Sequence, residues 1–229
     1  MKIALSKRLA AIAGYVTTGE KPVDVGTDHG YIPVWLIQNG ICETAIASDI
    51  REGPLTSAVQ SAESAGLADK IEFRLTPGLV GYTATDADCI IIAGMGAETI
   101  IGILEEAAWT KEKKLILQPQ SKHALLRNWL TYSNYGIADA RLVYDTGRIY
   151  IIFLVSGAPQ PDTGCIDRHL IENKDPLLAA FIEEELKRVT KKLYGLEKSK
   201  TPSGREIDEI NSTIAQLKSI KKEALTWQQ

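Results

Sequence analysis

The chain has 229 residues, 45% hydrophobic and 24% charged, with a formal net charge of −3. That length suits one large domain or one medium domain with an appendage, and the composition is that of a folded, non-membranous protein. No apolar run approaches the roughly 18 residues of a membrane helix, so no membrane partner is expected.

The charge is unevenly placed. Residues 1–167 hold 14 Lys/Arg against 19 Asp/Glu, and residues 168–229 hold 12 against 10. A mildly basic tail on an acidic body hints at a polyanionic partner. Cys42, Cys89 and Cys165 are scattered, odd in number and in no metal-ligand spacing. They read as free thiols in a reducing compartment, the cytoplasm, with no metal site.

In chain order, "MKIALSKRLAAIAGYV" opens the sequence. Lys7 and Arg8 break it too early for the apolar region of a signal peptide, so an amphipathic helix is expected there. Short apolar runs then alternate with helical stretches. The strand candidates are residues 21–27, 44–50, 70–76, 88–95 and 114–119, and the segments Pro54–Gly66 and Ala97–Ala108 have helical spacing. This alternation predicts right-handed βαβ units and a parallel sheet covered on both faces. Ile90, Ile91 and Ile92 in succession fit a strand buried on both sides. Residues 137–157 read differently, as two β-rich runs joined by Asp145-Thr146-Gly147, a hairpin. Five parallel strands closed by a hairpin outline a Rossmann-like class I methyltransferase sheet, α/β, with seven strands and the last antiparallel.

"SGAPQPDTG" (156–164) interrupts the pattern, and a domain boundary is placed at 160/161. Beyond it, Asp175-Pro176 reads as an N-cap with proline at the first helical position. Ile182, Leu186, Val189, Leu193 and Leu196 follow at helical steps. Ser203 and Glu206 give a capping-box signature ahead of Ile207, Ile210, Ile214 and Leu217. Two such helices with a tight turn predict a C-terminal antiparallel coiled-coil hairpin over 161–229.

The residues able to carry chemistry begin in "PVDVGTDHGYIP" (22–33). The pattern Asp24-x-Gly26-x-Asp28-x-Gly30 has glycines at two positions of a dinucleotide fingerprint, with aspartate in place of the central one. A carboxylate there repels a pyrophosphate and attracts a cationic guest. S-adenosylmethionine, with a sulfonium and an ammonium and no phosphate, fits that charge better than NAD. The alternative is a plain strand-to-helix turn in which Asp28 and His29 only hydrogen-bond the helix start. Asp49, 23 residues after Gly26 at the tip of the second strand, is placed to accept ribose hydroxyls, or else to cap the next helix. Gly94-Met95-Gly96, ending the fourth apolar run, would let backbone approach a ligand closely. No Asn/Asp-Pro-Pro-aromatic motif follows, which argues against attack by an exocyclic amine. A ring nitrogen such as adenine N1 needs no prior deprotonation, and Asp28 is the candidate to stabilise the charge it acquires. Gln118, Pro119 and Gln120 at the end of the fifth strand either read a base edge or form a polar loop. Lys187, Arg188, Lys191 and Lys192 make a basic stripe, with Lys198, Lys200 and Arg205 at the hairpin tip. They are either a solvated face or a lever along RNA phosphates.

"LSKRL" (5–9), "VDVGTDHGYIP" (23–33), "IAGMGAE" (92–98), "LILQPQ" (115–120) and the helical tail together resemble the bacterial tRNA (adenine-22-N1)-methyltransferase family. The resemblance implies S-adenosylmethionine as donor and N1 of adenine 22 in the tRNA D-arm as acceptor, in a monomer or weak dimer. It implies a donor site of Asp24, Gly26, Thr27, Gly30, Asp49, Ile50, Gly78, Leu79, Gly94, Met95 and Gly96. Asp28 and His29 would face the base. Arg8, Gln118, Pro119, Gln120 and the tail cations Lys187, Arg188, Lys191 and Lys192 would bind tRNA. One position departs from the family. Such proteins commonly carry Gly-Asp-Gly-Leu after the third strand, and here the stretch is Thr76-Pro77-Gly78-Leu79. Pro77 offers neither a carboxylate nor a backbone donor to the cofactor adenine. Two other functions remain open at this point, an NAD-linked oxidoreductase and a non-catalytic tRNA-binding protein with a relic pocket.

Overall fold

The computed structural model describes residues 2–158, 164–199 and 203–227. By its internal contacts the chain divides into two compact units, Met1–Pro161 and Asp162–Gln229.

The first unit is built on a seven-stranded sheet. Its elements are α1 (Lys7–Ala13), β1 (Pro22–Val25), α2 (Tyr31–Gln38), β2 (Ala45–Asp49), α3 (Glu52–Ala65), β3 (Ile71–Leu75), β4 (Cys89–Gly96), α4 (Ala97–Glu106), β5 (Lys114–Ser121), α5 (His123–Tyr132), β6 (Ile137–Asp145) and β7 (Arg148–Val155). The strand order is β3-β2-β1-β4-β5-β7-β6. The first five strands pair in parallel, and β7 inserts antiparallel between β5 and β6. This is the class I methyltransferase sheet expected from the sequence. Ile90, Ile91 and Ile92 are each fully buried, which explains their unbroken run: helices cover both faces of β4.

The N-terminal helix is shorter than the amphipathic pattern suggests. Ser6 caps it, its hydroxyl accepting from the Leu9 N–H at 3.4 Å, and Gly14 closes it. Residues 2–6 are non-helical, and Ile3 is anchored by burial and by its N–H donating to Gln38 Oε1 at 3.0 Å. The fourth strand runs one residue past its expected end. It carries register shifts at Ala93/Met95 and Met95/Gly96, with Gly94 at φ +77°. Such a bulge re-aims the side chains that follow it.

The second unit holds α6 (Arg168–Glu172), α7 (Leu178–Glu197) and α8 (Gly204–Thr226). Helices α7 and α8 form a two-helix hairpin. Asp175 does not cap α7 and Pro176 is not its first residue: the helix begins at Leu178, with Leu177 as N-cap and no side-chain capping bond. Asp175 instead closes the preceding turn, its Oδ1 accepting the Leu177 N–H at 2.9 Å and its carbonyl the Leu178 N–H at 3.0 Å. Ser203 caps α8 through the Glu206 N–H, while the Glu206 carboxylate pairs with Lys192 at 2.9 Å. Ile210, Leu217 and Ala224 are the buried positions of α8. Lys200 and most of the 156–164 linker lie outside the described residues.

Candidate active site

The sheet order reverses at β1, whose neighbours β2 and β4 are reached by chain running in opposite directions across the sheet. A crevice opens at the carboxyl ends of strands at such a point. Here it is a cleft of about 910 Å³ whose lining residues all fall between Ser6 and Tyr150.

One wall is acidic. Asp24, 5% exposed, is the penultimate residue of β1, with its Oδ2 accepting from Thr27 Oγ1 at 2.7 Å. Burial pushes its carboxyl up to about 6; the Thr27 hydrogen bond lowers it, and the nearby Asp49 charge raises it further. Asp49, 6% exposed at the tip of β2, accepts the Arg51 N–H on Oδ1 at 2.9 Å. The loop between them spends its amides internally. Gly26 and Thr27 both donate to Ser48 O, at 2.8 and 2.9 Å, and Gly30 donates to Thr27 O at 3.0 Å. A phosphate cradle needs such N–H groups aimed at the ligand. These three are turned onto protein carbonyls instead.

Asp28 takes a left-handed backbone at φ +54°, an uncommon state for a residue other than glycine. Helix α2 is N-capped by Gly30 with no side-chain hydrogen bond, so Asp28 is not spent on capping it. Its carboxylate is 68% exposed and 3.8 Å from His29 Nε2. The His29 ring is stacked with Tyr31, centroids 5.2 Å apart, and both line the cleft.

Ile50, Thr76, Pro77, Gly78 and Ile103 also line the cleft. Thr76 N–H donates to Asp49 O at 3.0 Å, which ties this apolar group to the second acid. Gly78 sits at φ +55°, and a Cβ there would lie 2.9 Å from Ile103 Cγ1. Pro77 accepts the Val80 N–H on its carbonyl. A flat apolar ring would be held here by shape and not by a carboxylate. The bulge of β4 turns Met95 across the floor, its Cε 2.2 Å from where a Gly26 Cβ would stand.

The opposite wall joins Arg8 and Gln120, both expected at the substrate, to residues that local sequence pattern does not single out. Ser6, Leu9, Asp145, Thr146 and Tyr150 line it with Arg8 and Gln120. The hairpin turn was legible in the sequence as a turn only. Because β7 runs antiparallel, the β6–β7 turn returns to the carboxyl edge of the sheet, and that consequence is topological. Asp145 holds the start of α1, accepting the Arg8 N–H at 3.1 Å. The Ser6 hydrogen bond is the largest cause holding its carboxyl below the usual range.

Asp24, Gly26, Thr27, Asp28, His29, Asp49, Ile50, Gly78, Gly94, Met95, Arg8 and Gln120 therefore converge on one cleft. Gly30, Leu79, Gly96, Gln118 and Pro119 do not line it. Gly30 is a packing glycine: at φ +67°, a Cβ would lie 2.9 Å from Ala58 Cβ on α3. Leu79 is core at 5% exposure, and Gly96 caps α4. Gln118 is fully buried beside a buried Pro119. Its Oε1 accepts from Arg8 and its Nε2 donates to Pro119 O, so both ends of the amide are taken and it cannot read a base edge.

The basic stripe belongs to the second unit and is mostly neutralised. Lys187 pairs with Glu183, Arg188 with Glu185 and Lys192 with Glu206. Lys191 is exposed and has no acidic partner among the described residues.

A family model described as a methyltransferase domain matches residues 5–153. The tRNA (adenine(22)-N(1))-methyltransferase of Bacillus subtilis is 36% identical over 155 residues, 67% of this chain and 65% of that protein. The match thus spans just under two thirds of that relative's length. A putative tRNA (m1A22) methyltransferase of Streptococcus pneumoniae superposes with a TM-score of 0.84 at 31% identity, covering 95% of this chain and 100% of that one. The same Streptococcus protein has been solved in complex with S-adenosyl-L-methionine. The B. subtilis M1A22 tRNA methyltransferase TrmK superposes with a TM-score of 0.86 at 27% identity, over 96% of this chain and 100% of that one.

Proposed function

We propose, for a chain that belongs to the bacterial tRNA (adenine-22-N1)-methyltransferase family, that it uses S-adenosylmethionine to methylate N1 of adenine 22 in the tRNA D-arm. The observation that carries the reading is the acidic wall. Asp24 lies buried beneath a loop whose Gly26 and Thr27 amides are spent on Ser48, so the loop offers a cation a carboxylate and denies a diphosphate those donors. That pattern gives the NAD-linked oxidoreductase no support, and the family gives the relic pocket none.

In this reading Asp24 neutralises the donor's ammonium, and Asp49 accepts ribose hydroxyls on the oxygen not engaged by Arg51. Ile50, Pro77, Gly78 and Ile103 form the slot for the donor adenine, with van der Waals contact replacing the carboxylate that Pro77 lacks. When bound, S-adenosylmethionine supplies an electrophilic methyl group on a sulfonium. Asp28 holds its exposed carboxylate where an acceptor ring becomes cationic, an electrostatic role that needs no proton transfer. His29 and Tyr31 give that ring an aromatic wall. Leu79, Gly30 and Gly96 shape the site from behind it.

The proposal extends to the finer points of organisation. The hairpin of α7 and α8 acts as an antiparallel coiled coil whose contribution to RNA affinity is modest, because most of its cations are paired. Residues 1–160 form the catalytic domain and 161–229 the helical one. The enzyme works in the cytoplasm as a monomer or weak dimer, without a metal. Among the described residues no His/Cys/Asp/Glu group is placed to hold one, and no helix is long and apolar enough to cross a membrane.

The test of the acceptor position is methyl transfer to two unmodified tRNA transcripts differing only by A22→G. Incorporation is expected with the first and not the second. Equal incorporation would refute the assignment to position 22.

A further inference from the structure

The wall opposite the acids contains one cation, and its surroundings say what it is for. Arg8 is held at three points. Its backbone N–H donates to Asp145 Oδ2 at 3.1 Å, its Nη1 donates to Gln118 Oε1 at 2.7 Å, and its guanidinium carbon lies 5.5 Å from the centroid of the Tyr150 ring. Nη1 is 3.9 Å from where a Gly94 Cβ would be, so the group reaches the floor of the cleft.

The partner at the head of the side chain is a neutral amide. Gln118 is fully buried, and its orientation follows from its partners: arginine can only donate, so Oε1 faces it, and the Pro119 carbonyl can only accept, so Nε2 faces that. A buried carboxylate in that place would fix Arg8 equally well and would cancel its charge. An amide fixes the guanidinium without forming an ion pair. The Asp145 carboxylate on the backbone side feels its charge, but among the described residues no acid salt-bridges the head of the side chain, and its other N–H donors are unbonded to them.

A fixed guanidinium with no ion pair at its head is a poor neighbour for a donor that is itself cationic, and it is a poor neighbour for an adenine gaining positive charge. It suits an anion. We propose that Arg8 is a phosphate subsite: it takes the backbone phosphodiester flanking the target nucleotide, and Gln118 is its positioning residue. The inference rests on the RNA-methylating reading of the cleft. It goes further in naming the group of the substrate that this wall binds and in giving Gln118 a role other than base recognition. A planar guanidinium can meet two phosphate oxygens with parallel N–H donors, a geometry lysine cannot reproduce. Arg8 thereby holds the flanking backbone while the base is presented towards Asp28.

The experiment measures tRNA binding by fluorescence anisotropy across a salt series, alongside steady-state methylation and calorimetric donor binding. The proteins are wild type, R8Q, R8K, Q118L and the R8Q/Q118L double variant. R8Q is expected to weaken tRNA binding on the order of 10-fold at ~0.1 M salt. It should also flatten the slope of log K against log salt by roughly 0.7–0.9, one phosphate contact. Donor affinity should stay within twofold of wild type. R8K should keep the wild-type slope with a smaller loss of affinity. Q118L should raise KM for tRNA several-fold with little change in kcat, and this effect should vanish in the R8Q background, because Gln118 acts through Arg8. An unchanged salt slope in R8Q, or a loss confined to donor affinity, would overturn the phosphate assignment. A Q118L effect that persists undiminished in R8Q would remove Gln118 from the subsite. Binding is read independently of turnover. A wild-type protein that transfers no methyl group but still shows the Arg8-dependent slope would therefore refute the enzymatic reading and leave the subsite standing.

Discussion

Asp24→Asn is expected to abolish tight donor binding and, at the same time, to make the ligand-free protein harder to unfold. Asp24 is buried, and burial has pushed its carboxyl from 3.8 up to about 6. Between those two values the folded protein keeps a proton that the unfolded chain has released. The contribution of this group to stability is therefore greatest at low pH and is lost as pH rises through about 6, the reverse of a salt-bridged aspartate. At pH 7.5 the buried charge costs on the order of 2–3 kcal/mol. Asparagine removes that cost and can still accept the Thr27 hydroxyl. Thermal melts of ligand-free protein at pH 7.5 should show the midpoint raised by roughly 5 °C. The gain should shrink to roughly a third near pH 4.5 and disappear only below about 3.8, where the carboxyl is protonated in the folded and unfolded chains alike. Calorimetry should show donor affinity reduced at least ~10-fold, the loss of a charge-assisted contact. Wild-type affinity should itself fall as pH drops below about 6, by up to one proton per donor bound. A variant both less stable and still donor-competent would mean that Asp24 is a structural residue.

Asp28→Asn should act on turnover and on little else. The residue holds φ +54°, where asparagine is tolerated about as well as aspartate. The side chain is well exposed and makes no capping bond to α2, so folding has little stake in its charge. Its melting temperature should match wild type within a degree or two. If the carboxylate stabilises positive charge on the acceptor ring, kcat should fall about 100-fold while KM for the donor is unchanged. A kcat within threefold of wild type would confine Asp28 to shaping the loop. A loss expressed only in donor KM would move it to the cofactor side of the cleft.

Much of this molecule can be read from its residues because the relevant signals are local. Alternating apolar runs and helical stretches give the parallel sheet, and Ile90-Ile91-Ile92 marks its doubly covered strand. Asp24, Gly26, Asp28 and Asp49 are legible because loop chemistry at strand tips depends on residue type and short spacing. What escaped the sequence depends on pairing. Gly30 fits a fingerprint by position, yet its neighbour is the backbone of α3, which no local pattern specifies. Gln118 sits at the end of a strand facing the substrate edge, but which of its faces turns to Arg8 is set by the register of β5 against β4 and by the bulge at Gly94. The wall made by Asp145, Thr146 and Tyr150 follows from the antiparallel insertion of β7. The tail's basic stripe overstates its charge, because Glu183, Glu185 and Glu206 sit within ion-pair reach of three of its four cations.

The chemistry of the account turns on an acceptor that attacks without first losing a proton, in a cleft with an aspartate but no amine-binding motif. The direct measurement is the identity of the nucleoside formed: an unmodified tRNA transcript incubated with enzyme and S-adenosylmethionine, digested to nucleosides and separated by chromatography coupled to mass detection. 1-methyladenosine as the product is the predicted result. N6-methyladenosine, a methylated guanosine or cytidine, or no methylated nucleoside at all would contradict it.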